Sequence, residues 1–225
     1  MNELKMRLCS RHDGRDRMPS IFTKEIQQDD TPESLAKYAE KFLRHYKCTP
    51  DTELIVYLSS SKMYLDALLT AASAIGVAKL SVGIWQRTSG DEGFYHIVDM
   101  APLPVDEAKT DTYDERLCAM PETRKNSLAA DDPNNPNNPN NPNNWPAVIP
   151  NRLEDPFDLK NTQSMAEKNT AQYAGKRVLL YVNGADFVFV PVLNALLGHG
   201  CIVTLQHYNP ETGNSCFHTL TKQGA

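Results

Sequence analysis

Residues 54–62 read LIVYLSSSK, and residues 178–186 read VLLYVNGAD. In both stretches an apolar run leads into a short loop of small residues, and an apolar helical pattern follows. Continuous apolar runs of this length are typical of strands that are buried on both faces of a parallel sheet. Tyr57 matches Tyr181 when the two stretches are aligned. The sequence therefore predicts two copies of one strand–loop–helix element.

The sequence after each stretch repeats the same order of elements. A helix, a strand, a turn and a strand are predicted at residues 63–75, 80–85, 89–93 and 94–98 in the first copy, and at residues 187–197, 201–205, 209–214 and 216–220 in the second. A helix is also predicted upstream of each copy, at residues 31–46 and, with a weaker pattern, at residues 158–173. Residues 20–26 form a further candidate strand. The predicted unit is β-α-β-α-β-β, and its last two strands form a hairpin.

An Asn-Pro tract separates the two copies. Residues 133–144 iterate Pro-Asn-Asn and contain no apolar side chain, so burial cannot offset the entropy lost on ordering them. We predict a first lobe at residues 18–125, a disordered linker at residues 126–150 and a second lobe at residues 151–225.

Composition excludes several classes of protein. The net charge of -5 and the pI of about 5.7 do not fit binding to long nucleic acid, which needs a basic surface. No apolar run is long enough to span a membrane. The first 18 residues mix basic and acidic side chains and lack the apolar segment of a signal peptide, so we expect a cytoplasmic protein with no membrane contact. The five widely spaced cysteines are expected to be reduced and mostly buried.

Alternating strands and helices predict an α/β fold, in which ligands bind beyond the carboxyl ends of the parallel strands. The loops at those ends carry small residues, and exposed N–H groups at a helix start favour anions. These residue types are also ordinary helix caps, so both interpretations stay open. The predicted ligand-binding residues are Ser59, Ser60, Ser61 and Lys62 in the first copy, and Asn183, Gly184, Ala185 and Asp186 in the second.

Four side chains are candidates for catalysis. Lys62 at a helix start and Arg87 near a turn can meet a phosphate, although both fit an exposed surface equally well. His96 and His218 each follow an aromatic residue and are predicted to occupy matching positions in the last strand of each copy, where an imidazole is either a general base or acid or a structural residue. No metal-binding motif, phosphate loop or nucleophile elbow is present in the sequence, so we expect no metal and no cofactor.

Residues 54–98 and 178–220 resemble the closing half of CRISPR-associated Rossmann fold (CARF) domains and the related SAVED domains. The resemblance implies two tandem Rossmann-like lobes, each a mainly parallel sheet with a terminal β-hairpin and helices packed on it. It further implies that a small cyclic nucleotide of the cyclic oligoadenylate type binds between the lobes, paired within one chain or in a homodimer. Some members of these families cleave the ring without a metal, as ring nucleases in antiviral defence.

The chain departs from that family pattern in two respects. The fuller Thr-Gly-Gly-Thr-Lys loop of the family is absent, and the second copy has Asp186 where the first has Lys62. The alternative hypothesis is a non-catalytic scaffold whose duplicated α/β lobes bind a protein partner.

Overall fold

The computed structural model describes residues 2–9, 18–23, 27, 29–58, 61–88, 93–108, 110–121, 142–150, 158–208 and 214–222, without the side chains of residues 87 and 143. The chain divides into unit 1, formed by residues 1–103 with 222–225, and unit 2, formed by residues 104–221. Each unit has a mainly parallel sheet, a terminal hairpin and helices packed around the sheet. The predicted class of two Rossmann-like α/β units is confirmed.

Within the described residues, unit 1 contains a five-stranded sheet and two helices. Its elements are β1 (Asn2–Cys9), β2 (Ser20–Phe22), α1 (Pro32–His45), β3 (Thr52–Tyr57), α2 (Lys62–Ile75), β4 (Lys79–Arg87) and β5 (Gly93–Asp99). The strand order is β2-β1-β3-β4-β5, in which only β4 and β5 are antiparallel. The sequence predicted β3, α2 and the hairpin to within two residues of these bounds.

Local signals account for where the helices begin and end. Thr31 and Ser34 form a capping box in which each side chain accepts the other's N–H, and Pro32 occupies the first helical position of α1. Helix α2 ends at Gly76, whose φ of 75° lies in the left-handed region that glycine adopts without strain. The two helices pack against each other.

The two faces of the sheet in unit 1 differ in burial. Strand β3 alternates, with its even-numbered residues buried and its odd-numbered residues half-buried. The prediction that β3 is buried on both faces is therefore wrong. The connections β2-α1-β3 and β3-α2-β4 advance in the same direction across the sheet, so right-handed crossovers place both helices on one face. We call that face, which carries Val56, Val82 and Ile84, the helix face.

Unit 2 repeats this plan with four named strands. Its elements are β6 (Glu115–Cys118), α3 (Leu159–Thr170), β7 (Arg177–Tyr181), α4 (Asp186–Gly198), β8 (Ile202–Tyr208) and β9 (Ser215–Leu220), with short 3-10 turns at Pro142–Asn144 and Ala171–Tyr173. The strand order is β6-β7-β8-β9, and only β8 and β9 are antiparallel. Helices α3 and α4 pack against each other, as α1 and α2 do.

The segment after the Asn-Pro tract is an ordered part of unit 2. Cys118 forms a parallel bridge with Ala147, donating its N–H to the Pro146 carbonyl at 3.0 Å and accepting the Val148 N–H at 2.9 Å. Trp145 is 8% exposed. The predicted linker is therefore wrong over residues 142–150, because apolar side chains there are buried in unit 2. Residues 126–141 of that prediction lie outside the described residues.

The same pairing occurs in unit 1, between β1 and β2. Arg7 donates its N–H to the Pro19 carbonyl at 2.9 Å, as Cys118 does to its own proline in unit 2. Arg7 also pairs with Tyr57 of β3, and Cys118 pairs with Tyr181 of β7, the equivalent tyrosine. Residues 18–22, MPSIF, therefore correspond to residues 145–149, WPAVI. The duplication covers the whole of each sheet, including its first two chain segments.

The predicted lobe boundaries consequently change. Strand β1 lies before the predicted start at residue 18, and β6 lies within the predicted first lobe but pairs with β7. In the sequence the Asn-Pro tract lies between β6 and Trp145, and both of these belong to unit 2. Charged residues alternate with Leu4, Met6 and Leu8, which is the pattern of a half-buried strand, so β1 was missed although its sequence indicates it. A four-residue strand such as β6 is too short to show a period.

Candidate functional site

The two predicted ligand loops lie at the carboxyl edges of their sheets. In unit 1 the Leu58 N–H donates to the Gly83 carbonyl at 2.8 Å, and in unit 2 the Val182 N–H donates to the Gln206 carbonyl at 3.1 Å. Each bond continues the pairing with the next strand for one residue before the chain turns into the helix. The loops are equal in length, so Lys62 and Asp186 both begin a helix. The predicted alignment of the two copies is confirmed at this edge.

In unit 1 the loop brings a serine cap and a lysine to the start of α2. Ser61 is the N-cap, and its Oγ accepts the Met63 N–H at 3.3 Å. Lys62 is half-buried at the first helical position. The helix dipole favours negative charge there, so helix stability does not explain a lysine at this place. The predicted ligand residues Ser59 and Ser60 lie outside the described residues.

In unit 2 the loop shows features that serve the fold. Ala185 is the N-cap of α4 without a side-chain cap, and Asp186 places a carboxylate where the helix dipole favours it. Gly184 has a φ of 80°, and a Cβ at this residue would lie 2.9 Å from the Sδ of Met120. The backbone conformation favours glycine at residue 184, and a Cβ there would also displace the Met120 side chain.

Asn183 ties this loop to the end of β6. Its Oδ1 accepts the N–H groups of Ala119 at 3.0 Å and of Met120 at 3.4 Å, while its Nδ2 donates to the Met120 carbonyl at 2.8 Å. The carboxamide thus holds two parallel strand ends together and has a structural role. A contact between Asn183 and a ligand stays a prediction.

His96 lies on the helix face of β5, one residue beyond the level at which β3 ends. It pairs with Ile84, its Nε2 is hydrogen-bonded to the Oε1 of Gln86, and its ring centroid lies 4.7 Å from that of Phe94. Because a carboxamide oxygen only accepts, Nε2 is the donor in this hydrogen bond, and in the neutral imidazole the lone pair then lies on Nδ1. Gln86, the residue that orients this imidazole, was not among the predicted site residues.

His218 does not occupy the position of His96. In unit 1 the residue paired with Gly83 is Ile97, directly after His96; in unit 2 the residue paired with the equivalent of Gly83 is Phe217, directly before His218. The two histidines are therefore two positions apart in the duplicated strand, and the predicted match is wrong. Hairpin pairing sets the register, and residue identity does not. His218 is 8% exposed on the helix face of unit 2.

A different histidine stands at the His96 level in unit 2. Cys216 is the equivalent of His96, and it pairs with His207 as His96 pairs with Ile84. His207 is 5% exposed, and Cys216 is half-buried. Each hairpin therefore carries an imidazole at this cross-strand pair, on β5 in unit 1 and on β8 in unit 2. His207 was not among the predicted site residues because aligning the two terminal histidines shifted the register.

The remaining predicted catalytic residue, Arg87, ends β4 and pairs with Gly93. Its side chain lies outside the described part of the structure. The backbones of Lys62, Arg87 and His96 all stand at the carboxyl edge of unit 1, whereas His218 belongs to the interior of unit 2. Three of the four predicted catalytic residues are thus brought to one edge of one sheet.

The described residues contain no group of three or more His, Cys, Asp or Glu side chains that could hold a metal ion. Likewise, no helix in the described ranges is long and apolar enough to cross a membrane. Four of the five thiols are buried, as predicted, and Cys216 is half-buried. Burial raises the pKa of the Cys48 and Cys201 thiols above the usual value, which makes both poor nucleophiles.

The carboxyl edge of unit 1 has the groups needed to bind an anionic ligand. The positive end of the α2 helix dipole attracts a phosphate, and Lys62 adds a positive charge at the same place. His96, oriented by Gln86, supplies a proton acceptor at this edge. The corresponding edge of unit 2 has the same helix start but carries a carboxylate. No protein-family model matches the chain, and no curated protein matches it.

Proposed function

We propose that this protein binds a cyclic oligonucleotide of the cyclic oligoadenylate type through the loops at the carboxyl edges of its sheets. One observation carries the proposal. In unit 1 strand β3 leads into α2, in unit 2 the equivalent strand β7 leads into α4, and the two connecting loops are equal in length. A ring of repeated nucleotides offers the same phosphate several times, which suits a duplicated helix start. The resemblance of both stretches to CARF and SAVED domains supports the same ligand class.

The two loops contribute unequally in this proposal. A phosphate at the start of α2 gains both the helix dipole and the ammonium group of Lys62, because both attract negative charge. A phosphate at the start of α4 meets the carboxylate of Asp186, which repels it. We therefore assign the stronger phosphate contact to unit 1.

Cleavage of the ring needs groups at that edge together with a proton from solvent. The ligand's 2′-hydroxyl attacks the adjacent phosphorus, the bond from phosphorus to the 5′-oxygen breaks, and a 2′,3′-cyclic phosphate and a 5′-hydroxyl form. His96 Nδ1 is the acceptor for the proton of the 2′-hydroxyl, and a proton from solvent reaches the departing 5′-oxygen. Lys62 stabilises the charge that develops on the phosphate. His218 has no assigned step, because its register places it away from the His96 position.

The thermal unfolding midpoint with a panel of cyclic oligoadenylates and cyclic dinucleotides tests the proposal. A ligand that binds only the folded protein raises its stability by about 2.7 kcal/mol at a hundred times the dissociation constant. A midpoint that rises with one member of the panel supports binding. Chromatography of that nucleotide after incubation then separates a protein that binds the ring from one that cleaves it. An unchanged midpoint across the panel at millimolar ligand rejects the proposal.

A second candidate is the protein-binding scaffold. Large apolar side chains are exposed on both terminal hairpins, namely Trp85, Phe94, Ile97 and Phe217. Ile97 and Phe217 occupy equivalent positions and are each about half exposed, at 48% and 50%. Replacing both by Ser leaves nucleotide binding unchanged if the nucleotide proposal is correct. The scaffold is favoured if the wild type binds no nucleotide and a protein that co-purifies with the wild type no longer co-purifies with that variant.

A further inference from the structure

Trp85 presents an exposed indole at the carboxyl end of β4. Its side chain is 41% exposed, whereas Trp145, the other tryptophan of the chain, is 8% exposed. Trp85 is one residue along from Ile84 of the helix face, so it lies on the opposite face of the sheet. The exposed part of the ring gains nothing from burial, and tryptophan is enriched at binding surfaces, where a partner supplies the missing contact.

Two neighbours fix the position of this indole. A Cβ at Gly93, on the paired strand, would lie 2.5 Å from Cζ2 of Trp85, so the ring lies over the bare backbone of that glycine. The ring of Tyr95 packs against the indole, with centroids 4.9 Å apart and an interplanar angle of 60°. The indole is therefore held before any ligand arrives, which reduces the entropy lost on binding.

A second glycine extends the aromatic surface toward the ligand loop. A Cβ at Gly83 would lie 2.6 Å from Cδ1 of Tyr57, and the Tyr57 ring packs against Tyr95 at 4.5 Å. Tyr57 is the last residue of β3, so these rings lead from the indole to the strand end that precedes Lys62. The rings of Trp85, Tyr95 and Tyr57 therefore form one ordered aromatic surface, which lies over two glycines.

Among the described residues of unit 2, this aromatic surface has no counterpart. The position of Trp85 is occupied in unit 2 by Tyr208, which packs against the cluster of Cys118, Trp145 and Tyr181. Tyr95 corresponds to Ser215, whose Oγ accepts a hydrogen bond from Gln206 at 3.1 Å. The exposed indole and the lysine at the helix start therefore occur in the same unit, at the same edge.

We infer that Trp85 stacks on a purine base of the bound nucleotide while the helix start and Lys62 hold its phosphate. The inference rests on the function proposed above and adds the group that recognises the base. Aromatic rings stack on the π-faces of bases without regard to hydrogen-bonding pattern, and a purine offers a larger face than a pyrimidine. Loss of one such stack weakens nucleotide binding by a factor on the order of 5 to 150.

Isothermal titration with cyclic tetra-adenylate tests the inference in the full-length protein. We expect Trp85→Ala to raise the dissociation constant by that factor, Trp85→Phe to retain most of the affinity, and Ile97→Ala to match the wild type. Ile97 is the matched control because it is exposed on the same face but has no π-system. In a Trp145→Phe background, the nucleotide should quench the fluorescence of Trp85, and ribose 5-phosphate should not.

The two ways of failing are distinct. Equal affinity of the wild type and Trp85→Ala for cyclic tetra-adenylate overturns the stacking role and leaves nucleotide binding in place. No binding by the wild type to any cyclic oligoadenylate or dinucleotide rejects the proposed function and the stacking role together. An Ile97→Ala loss as large as that of Trp85→Ala also overturns the inference, because an apolar surface and not a stacking ring would then be responsible. Matching unfolding midpoints show that the variants are folded.

Discussion

Trp145 and Tyr181 meet edge to face in unit 2, with ring centroids 6.5 Å apart and ring planes at 84°. The contact joins the end of the Asn-Pro tract to the central strand β7. Leu179 and Cys118 complete this buried cluster, which covers the face of β7 opposite its helices. Strand β7 is thus buried on both faces, although β3 of unit 1 is not.

Truncating Trp145 should weaken unit 2 selectively. Because a buried indole is removed from a packed cluster, Trp145→Ala should lower the free energy of unfolding by about 3–5 kcal/mol. Hydrogen exchange measured by mass spectrometry should become faster in β6 and β7 and stay unchanged in β3 and β4. Trp145→Phe, which keeps a ring, should have a smaller effect. Unchanged exchange in β7 of Trp145→Ala would show that the cluster contributes nothing to stability.

Fragments should distinguish the observed boundary from the one predicted at residues 126–150. A fragment of residues 104–221 contains every strand of unit 2, while a fragment of residues 151–225 lacks β6 and the Trp145 segment. We expect a cooperative denaturant transition from the longer fragment only, because the shorter one exposes an edge of β7 and its apolar face. Cooperative unfolding of residues 151–225 alone would contradict the unit boundaries described above.

Asn183 and Ser61 should respond differently to alanine. Asn183→Ala removes three hydrogen bonds between the β7–α4 loop and residues 119–120, and should lower stability by about 1–3 kcal/mol. Ser61→Ala removes one cap and should lower stability by about 1 kcal/mol. Thermal unfolding of both variants measures the difference. Full stability of Asn183→Ala combined with lost nucleotide binding would instead make Asn183 a ligand residue.

Thiol labelling should identify one reactive cysteine. Burial raises the pKa of Cys48 and Cys201, so both stay protonated at pH 8, and Cys9 and Cys118 are also buried. Cys216 is half-buried. With a chromogenic disulfide reagent we expect Cys216 to react first in the native protein and all cysteines to react after unfolding. Rapid reaction of the Cys48 or Cys201 thiol with the reagent in the native protein would show that the structure around that thiol opens readily.

Long apolar elements were predicted from the sequence, and short elements were missed. The β3–α2 and β7–α4 stretches are long apolar patterns with glycine or polar stops, and both were placed to within two residues. Strand β6 has four residues, and the Trp145 segment follows a tract whose composition argues against structure, so neither has a usable period. Local pattern therefore predicted the duplicated core and missed the segments that complete each sheet.

The site shows the same division. Lys62 and Asp186 were placed correctly because the loops leading to them are equal in length. The histidine match failed by two positions, a shift that keeps a side chain on the same face of the sheet and so leaves the hydrophobic pattern intact. Gln86 and His207 become visible only through cross-strand pairing, which the sequence does not specify.

Titration of cyclic tetra-adenylate into wild-type, Lys62→Arg and Lys62→Gln protein tests the central claim most directly. A cation beside a phosphate at a helix start contributes about 1.5–3 kcal/mol through its charged hydrogen bond, so Lys62→Gln should bind at least tenfold more weakly. Lys62→Arg keeps the charge and should bind within a few-fold of the wild type. Equal affinity of Lys62→Gln and the wild type, or no binding by the wild type, would contradict a nucleotide site at the carboxyl edge of unit 1.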